Sequence, residues 1–215
     1  MRRFLSYCLA VATGPAGESE RNARELRDRV LDAAKTCSER WGIAKVTIDD
    51  IAGAAGLSRA TLYRLFPGGR DVLYDALRVR ETEEFMAALT EHLDGADGYE
   101  DLVVRVVVHA TRMLQADEHL KLMLASEPGE VASDLTVAGL PRIFRAATLF
   151  FTPVFAPHIG REPSARLAEW LARVVISYFL APSRFVDLSV EASAVDFVRT
   201  FVLPAFPPST SATGR

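Results

Sequence analysis

The stretch Lys45-Val-Thr-Ile-Asp-Asp-Ile-Ala-Gly-Ala-Ala-Gly-Leu-Ser-Arg-Ala-Thr-Leu-Tyr-Arg-Leu-Phe66 decides the fold. Thr47 followed by Asp50 has the form of a capping box, in which each side chain satisfies a free backbone N–H of the other. Val46 with Ile51 supplies the apolar staple that fixes how the chain enters the helix. A helix therefore starts at about Ile48. It can run only to about Ala55, because Gly56 offers the left-handed conformation that ends helices. Leu57 alone separates that glycine from a second cap, Ser58, and Leu57 with Leu62 repeats the staple. Two short helices, a glycine turn and small residues where the helices cross (Ala52, Ala55) make a helix-turn-helix over about residues 47–66.

In the second of these helices, Leu62 and either Leu65 or Phe66 face inward with Ile48 and Ile51. Arg59, Ala60, Thr61, Tyr63 and Arg64 are left largely on the outer surface. Arg can take a guanine edge through two hydrogen bonds, Ala and the Thr methyl can touch a thymine methyl, and a Tyr hydroxyl suits a phosphate oxygen. Exposed Arg and Thr on a helix ordinarily meet only solvent. On the second helix of a capped helix-turn-helix they stand where DNA is read.

Upstream, Leu26, Val30, Ala33, Cys37 and Trp41 recur at steps of 4, 3, 4 and 4, one face of a helix from Ser19 that stops at Gly42. Cys37 lies on that stripe and reads as a small core residue. Residues 1–18 read as a flexible arm that ends at Gly14-Pro15-Ala16-Gly17. Its arginines, apolar stretch and Ala10-Val11-Ala12 have the outline of a short signal peptide, against which stands the DNA-reading motif that follows.

From about Arg29 to Leu77 the chain resembles the TetR family of bacterial transcriptional regulators. The resemblance rests on Val-Leu-Asp-Ala-Ala from Val30, Val-Thr-Ile-Asp-Asp-Ile-Ala from Val46, Gly-Leu-Ser-Arg-Ala-Thr-Leu-Tyr-Arg-Leu-Phe-Pro from Gly56, and Arg-Asp-Val-Leu from Arg70. It implies a three-helix DNA-binding head, a connecting helix 4, and a helical C-terminal domain that dimerises and holds a small ligand. It also implies phosphate contacts by Thr47 and Tyr63, insertion of Ser58 to Arg64 into the major groove, and a backbone clamp by Arg70 in place of the family's usual Lys. The turn Phe66-Pro-Gly-Gly-Arg70 has one residue more than the commonest form and is expected to be looser.

Helix 4 is expected from about Asp71 to Leu93, burying Leu73, Leu77, Phe85, Leu89 and Leu93, with Asp94-Gly-Ala-Asp-Gly98 closing it. A helical stretch follows from about Tyr99 to Ala125. The segment Leu140 to Ile159 carries Pro141, Pro153 and Pro157 and is expected to be kinked or divided. Leu167, Leu171, Val174 and Tyr178, widened by Trp170, step by 4, 3 and 4, as do Val190, Ala194, Phe197 and Phe201. Such stripes fit either a core internal to one chain or a four-helix dimer interface, which the resemblance favours. Phe144, Phe150, Phe151 and Phe155 with Met113 and Met123 could line an apolar cavity or simply fill a core. His109 and Arg112, one turn apart in an apolar run, could fix a ligand headgroup or cap a neighbouring helix.

The 215 residues, 49% hydrophobic and 25% charged with net charge −3, exclude disorder for most of the chain. Two cysteines cannot build a disulfide framework, and no apolar run is long enough to span a membrane. Residues 1–80 carry 14 Lys and Arg against 10 Asp and Glu, whereas residues 81–215 carry 11 against 18, so the basic portion is the one suited to a polyanion. The four histidines show no metal-ligand spacing, and no nucleophile elbow, P-loop or dinucleotide fingerprint occurs. The resulting expectation is an all-α, non-enzymatic, cytoplasmic regulator without metal or cofactor. Its domains are an arm (1–18), a DNA-binding head (19–84), a ligand-binding and dimerisation domain (85–206) and a disordered tail (207–215). Its partners are a double-stranded DNA operator, a small hydrophobic effector and a second copy of itself, with no membrane. Repression is the leading reading. An activator, a co-repressor-dependent regulator or a helical lipid-binding protein are the alternatives.

Overall fold

The computed structural model describes residues 15–117, 120–121 and 140–209. Among them the regular elements are all helical: α1 (Pro15–Trp41), a 3-10 turn (Ile43–Lys45), α2 (Ile48–Ala54), α3 (Arg59–Leu65), α4 (Arg70–Glu91), α5 (Gly98–Ala116), α6 (Leu140–Ile159), α7 (Arg161–Leu180) and α8 (Glu191–Phe197). A π turn over Val198–Val202 continues α8. The chain divides after Arg80 into two compact units with separate apolar cores.

In the first unit α1 begins at Pro15, four residues earlier than the spacing suggested. Proline suits a helix start, since its ring holds the required φ and the missing N–H would have no helical partner there. Val30, Ala33, Ala34 and Cys37 are buried, but Trp41, expected on the same stripe, is 44% exposed and lies under the Arg40 guanidinium. The helix ends there, so nothing beyond it covers the ring. Ile51, Leu62, Phe66 and Leu73 are fully buried and close the core around α2, α3 and α4. Removing a side chain of the size of Phe66 from such a core costs about 3–5 kcal/mol. The polar Ser38 is accommodated because its hydroxyl donates to Ala34 O at 2.7 Å and meets the Tyr74 hydroxyl at 2.8 Å, joining α1 to α4.

In the second unit α6 and α7 form a hairpin about Gly160, and α5 and α8 complete the core. Val103, Val107, Phe155, Leu167 and Leu171 are at its centre. Of the expected kink or division in Leu140–Ile159 the division is absent: one helix runs through Pro153 and Pro157. Leu149, Pro153 and Pro157 are exposed and four residues apart, so the carbonyls of Leu149 and Pro153, which lose their helical donors, sit on the outward stripe within reach of water. The opposite stripe of Phe144, Ala147, Phe151, Phe155 and Ile159 stays buried. Helix α5 ends at Ala116, short of the expected Ala125, whose position lies outside the described residues.

The last helix departs from the expected spacing. It buries Ala194, Phe197, Val198 and Val202, while Phe201 is 55% exposed. The bond from Leu203 N to Val198 O, at 3.0 Å, spans five residues instead of four. Each residue of such a turn rotates less than an α step, so Val202 takes the inward place that α spacing assigns to Phe201. No helix among the described residues is long and apolar enough to cross a membrane.

Candidate nucleic-acid interface

The candidate site is built on α2 and α3. At the start of α2 the capping box is formed. Asp50 N donates to Thr47 Oγ1 at 3.2 Å, and Thr47 N and Oγ1 donate to Asp50 Oδ2 at 2.9 and 2.6 Å. These bonds, side chain first and then backbone, hold the Asp50 pKa below its ordinary value. The far end of α2 closes as a Schellman turn: Leu57 N donates to Ala52 O at 2.9 Å, Gly56 N donates to Gly53 O at 3.1 Å, and Gly56 has φ 65°. Ala55 O accepts Arg29 Nη2 at 2.6 Å, so α1 reaches across to hold the turn.

Ser58 caps α3 by accepting from Thr61 N at 3.2 Å, and its hydroxyl is 2.9 Å from Thr61 Oγ1. Arg27 Nη1 donates to Leu65 O at 2.8 Å and its guanidinium lies 4.6 Å from the centroid of the Phe66 ring, which pins the other end. Thus α3, only seven residues long, is held at both ends by side chains. On its outer side Arg59, Ala60, Tyr63 and Arg64 are exposed and Thr61 is half-buried. Thr47 and Ser58 are exposed too, though their hydroxyls are engaged in the caps. Arg59 Nη1 lies 2.9 Å from Asp49 Oδ2 and 3.3 Å from Oδ1, with its guanidinium 5.6 Å from the Tyr63 ring centroid. That pair, ten residues apart across the turn, escaped the sequence reading.

Two expectations for the end of this region need correction. The glycine turn before α4 is tight: Gly69 N donates to Phe66 O at 2.9 Å, and Gly69, at φ 71°, is buried so closely under Tyr63 that an added Cβ would lie 3.0 Å from its ring. Arg70, expected as a backbone clamp, is turned into its own unit. Its Nη2 donates to Ile43 O at 2.5 Å and its guanidinium lies 5.0 Å from the centroid of the Tyr74 ring. The carbonyl of Ile43, which also accepts from Val46 N at 3.3 Å, supplies a partner that no side-chain pattern could have announced.

Residues expected to line a ligand cavity fall into three places. Phe144, Phe151 and Phe155 are buried in the core of the second unit, with Met113 and Phe150 partly buried against it. His109 and Arg112 do not form a buried pair: Arg112 is exposed and its Nε donates to Ser189 O at 2.8 Å, while the His109 ring packs 4.4 Å from that of His92. Burial, then the neighbouring His92, Arg112 and Arg105 lower the His109 pKa, against a smaller opposite effect of Glu191. Met123 lies outside the described residues.

The stripes expected at a dimer interface are largely consumed within one chain. Leu167 is fully buried, Leu171 is 2% exposed and Phe197 is 7% exposed, because α6 and α5 already cover them. Trp170, Val174 and Tyr178 are half-buried, and Trp170 and Tyr178 pack against Phe197. Of the nine residues on the two stripes, Val190 and Phe201 alone are exposed. Among the described residues no three His, Cys, Asp or Glu side chains gather to hold a metal. Cys37 is buried, and that burial raises its pKa, so its thiol is an inert core group.

A family model described as bacterial regulatory proteins, tetR family, matches residues 30–77, the span from the first buried valine of α1 to the buried Leu77 of α4. Over this span the chain is similar to the TetR family. The chain is 28% identical over 203 residues to an uncharacterized HTH-type transcriptional regulator, MT1294, of Mycobacterium tuberculosis, covering 92% of this chain and 93% of the relative. Another, Mb2274c of Mycobacterium bovis, is 38% identical over 104 residues, 48% of this chain and 52% of the relative. Among solved structures, the TetR family repressor AlkX from Dietzia sp., implicated in biodegradation of n-alkanes, aligns with a TM-score of 0.61 and 25% identity over 80% of this chain and 92% of that one. These similarities support a DNA-binding transcriptional regulator.

Proposed function

We propose that the protein is a cytoplasmic repressor that acts as a homodimer, reads the half-sites of a near-palindromic operator through α3, and is released by a small apolar ligand held in its second unit. The observation that carries the reading is the exposed row Arg59, Ala60, Tyr63 and Arg64 on a short helix clamped at both ends. A recognition element must present base-reading side chains on a rigid support, because positional slack costs discrimination. Two heads about one helical turn of DNA apart would address successive major grooves.

The ligand side of the reading is supported by the apolar content of the second core and by the similarity to AlkX, a repressor connected with alkane degradation. A ligand inserted among Phe144, Phe151, Phe155 and Met113 would have to push packed side chains aside, which is a means of coupling occupancy to shape. Reversing an operator-competent population from about 99:1 to 1:99 takes roughly 5.5 kcal/mol of differential binding. Some 200 Å² of newly buried apolar surface supplies that order of energy at about 25 cal/mol per Å².

The test is fluorescence anisotropy with a duplex selected by the full chain from a randomised pool and with a scrambled duplex, over a salt series. The selected duplex is expected to bind at least about 10³-fold tighter. Arg59→Ala should erode that ratio, whereas Tyr63→Phe should weaken binding to both duplexes alike. Addition of a saturated fatty acid or a long n-alkane should release the selected duplex. Equal, weak and steeply salt-dependent binding of both duplexes would overturn the reading of α3 as a sequence reader.

A further inference from the structure

The carboxylate of Asp49 stands beside the arginine that α3 presents outward, and neither helix cap uses it. Thr47 and Asp50 form the capping box of α2, and Ser58 with Thr61 forms the cap of α3, so both helix starts are satisfied without Asp49. Its own contact is with Arg59, through Nη1 only, and both side chains are about 60% exposed. The ion pair therefore lies on the surface that carries Ala60, Tyr63 and Arg64, not in the core.

We propose that Asp49 is a specificity-determining residue: it holds Arg59 for a guanine edge and penalises its use on a bare phosphate. The inference rests on the reading of α3 as the helix that enters the groove. A guanidinium has five donors in a rigid fork. With both bonds to Asp49 made by Nη1, the Nε–Nη2 edge stays outside the ion pair, and that edge carries two parallel N–H groups of the kind that match guanine O6 and N7. The carboxylate thus orients the arginine without occupying the edge that reads the base. The Tyr63 side chain, hydrogen-bonded to Arg59 with its ring 5.6 Å from the guanidinium, limits its swing further.

The same carboxylate has the opposite effect on non-specific contact. Binding to arbitrary DNA is driven by release of counterions when cations meet phosphates. An Arg59 that turns to a phosphate either keeps Asp49, and brings a negative charge toward the polyanion, or gives up its partner. At a matching guanine neither happens. Asp49 thereby raises the ratio of specific to non-specific binding more than it raises affinity. A surface ion pair contributes little to stability, which suits a residue whose effect falls on discrimination instead.

The experiment uses the full chain with Asp49→Asn, Arg59→Ala and the double substitution, plus Glu39→Gln as a control that removes one exposed negative charge from α1. Binding to the selected and scrambled duplexes is measured over a salt series, with thermal unfolding of each variant alongside. For Asp49→Asn, affinity for the scrambled duplex should rise about threefold at low salt and the slope of log K against log salt should steepen by about 0.9. The ratio of selected to scrambled binding should fall by about tenfold, as expected for loss of orientation at one base contact. Glu39→Gln should leave the ratio unchanged, and in the Arg59→Ala background Asp49→Asn should no longer alter it. A wild type that discriminates together with an Asp49→Asn variant that discriminates equally well, with only a lowered unfolding temperature, would reduce Asp49 to a favourable charge at a helix start and overturn the proposal. A wild type with no preference between duplexes would instead overturn the reading of α3 on which it rests.

Discussion

Tyr63 stands where it does because Gly69 has no side chain. At φ 71° a Cβ is strained, and here it would also press on the ring at 3.0 Å. Gly69→Ala is expected to lower stability by about 1–2 kcal/mol and to weaken binding to every DNA sequence, since Tyr63 is proposed to meet phosphate. Urea unfolding and the anisotropy series would show both effects. His109 gives a second residue-scale expectation. Its folded pKa is lowered, chiefly by burial and then by His92, Arg112 and Arg105, so the unfolded chain binds the proton more readily. Stability contributed by the neutral ring is present above the ordinary imidazole value of about 6.5 and is lost as pH falls from there through the lowered folded value. Thermal unfolding followed over that range should decline, and His109→Gln should flatten the decline. At this scale the caps at Thr47, Asp50 and Ser58 were legible because they join residues three apart, whereas Asp49 with Arg59 and Arg70 with Ile43 O were not. Those contacts cross a turn or end on a carbonyl, and neither leaves a mark in local spacing.

Helices α2 and α3 could be read from the sequence because each begins with its own cap and staple, and the turn between them needs a glycine that is present. The later helices were harder. Proline in Leu140–Ile159 predicts a break only where the freed carbonyls are buried, and the outward stripe of Leu149, Pro153 and Pro157 removes that condition. Apolar spacing in α8 fits an α-helix throughout, so the π turn at Val198–Val202 has no signature beyond the exposure of Phe201. A π turn holds one residue more than the α turn it replaces. Deleting Thr200 should therefore restore α geometry and leave Val202 facing the core, seven positions after Ala194. Circular dichroism and the unfolding temperature are expected to change little, whereas deleting Ala172 within α7 should rotate the buried Val175 out of register and unfold the second unit.

The charge skew between residues 1–80 and 81–215 falls at the division after Arg80, so the excess of cations belongs to the unit that carries α3. The all-helical class and the DNA-binding activity were legible at this scale. The composition of the second core was legible as well, but not which apolar residues it would consume. A stripe of leucines and aromatics looks the same whether its cover comes from the same chain or another. Here Leu167, Leu171 and Phe197 are covered by helices of their own chain, leaving Val190 and Phe201 exposed. A second unit that closes its core in this way does not wait for a partner to fold. Its unfolding temperature should fall on dilution only until the subunits have separated and then hold constant, in contrast to proteins whose folded state exists only as a dimer. Dilution would then separate the subunits as folded monomers, and preparations carrying different tags should exchange subunits without passing through an unfolded state.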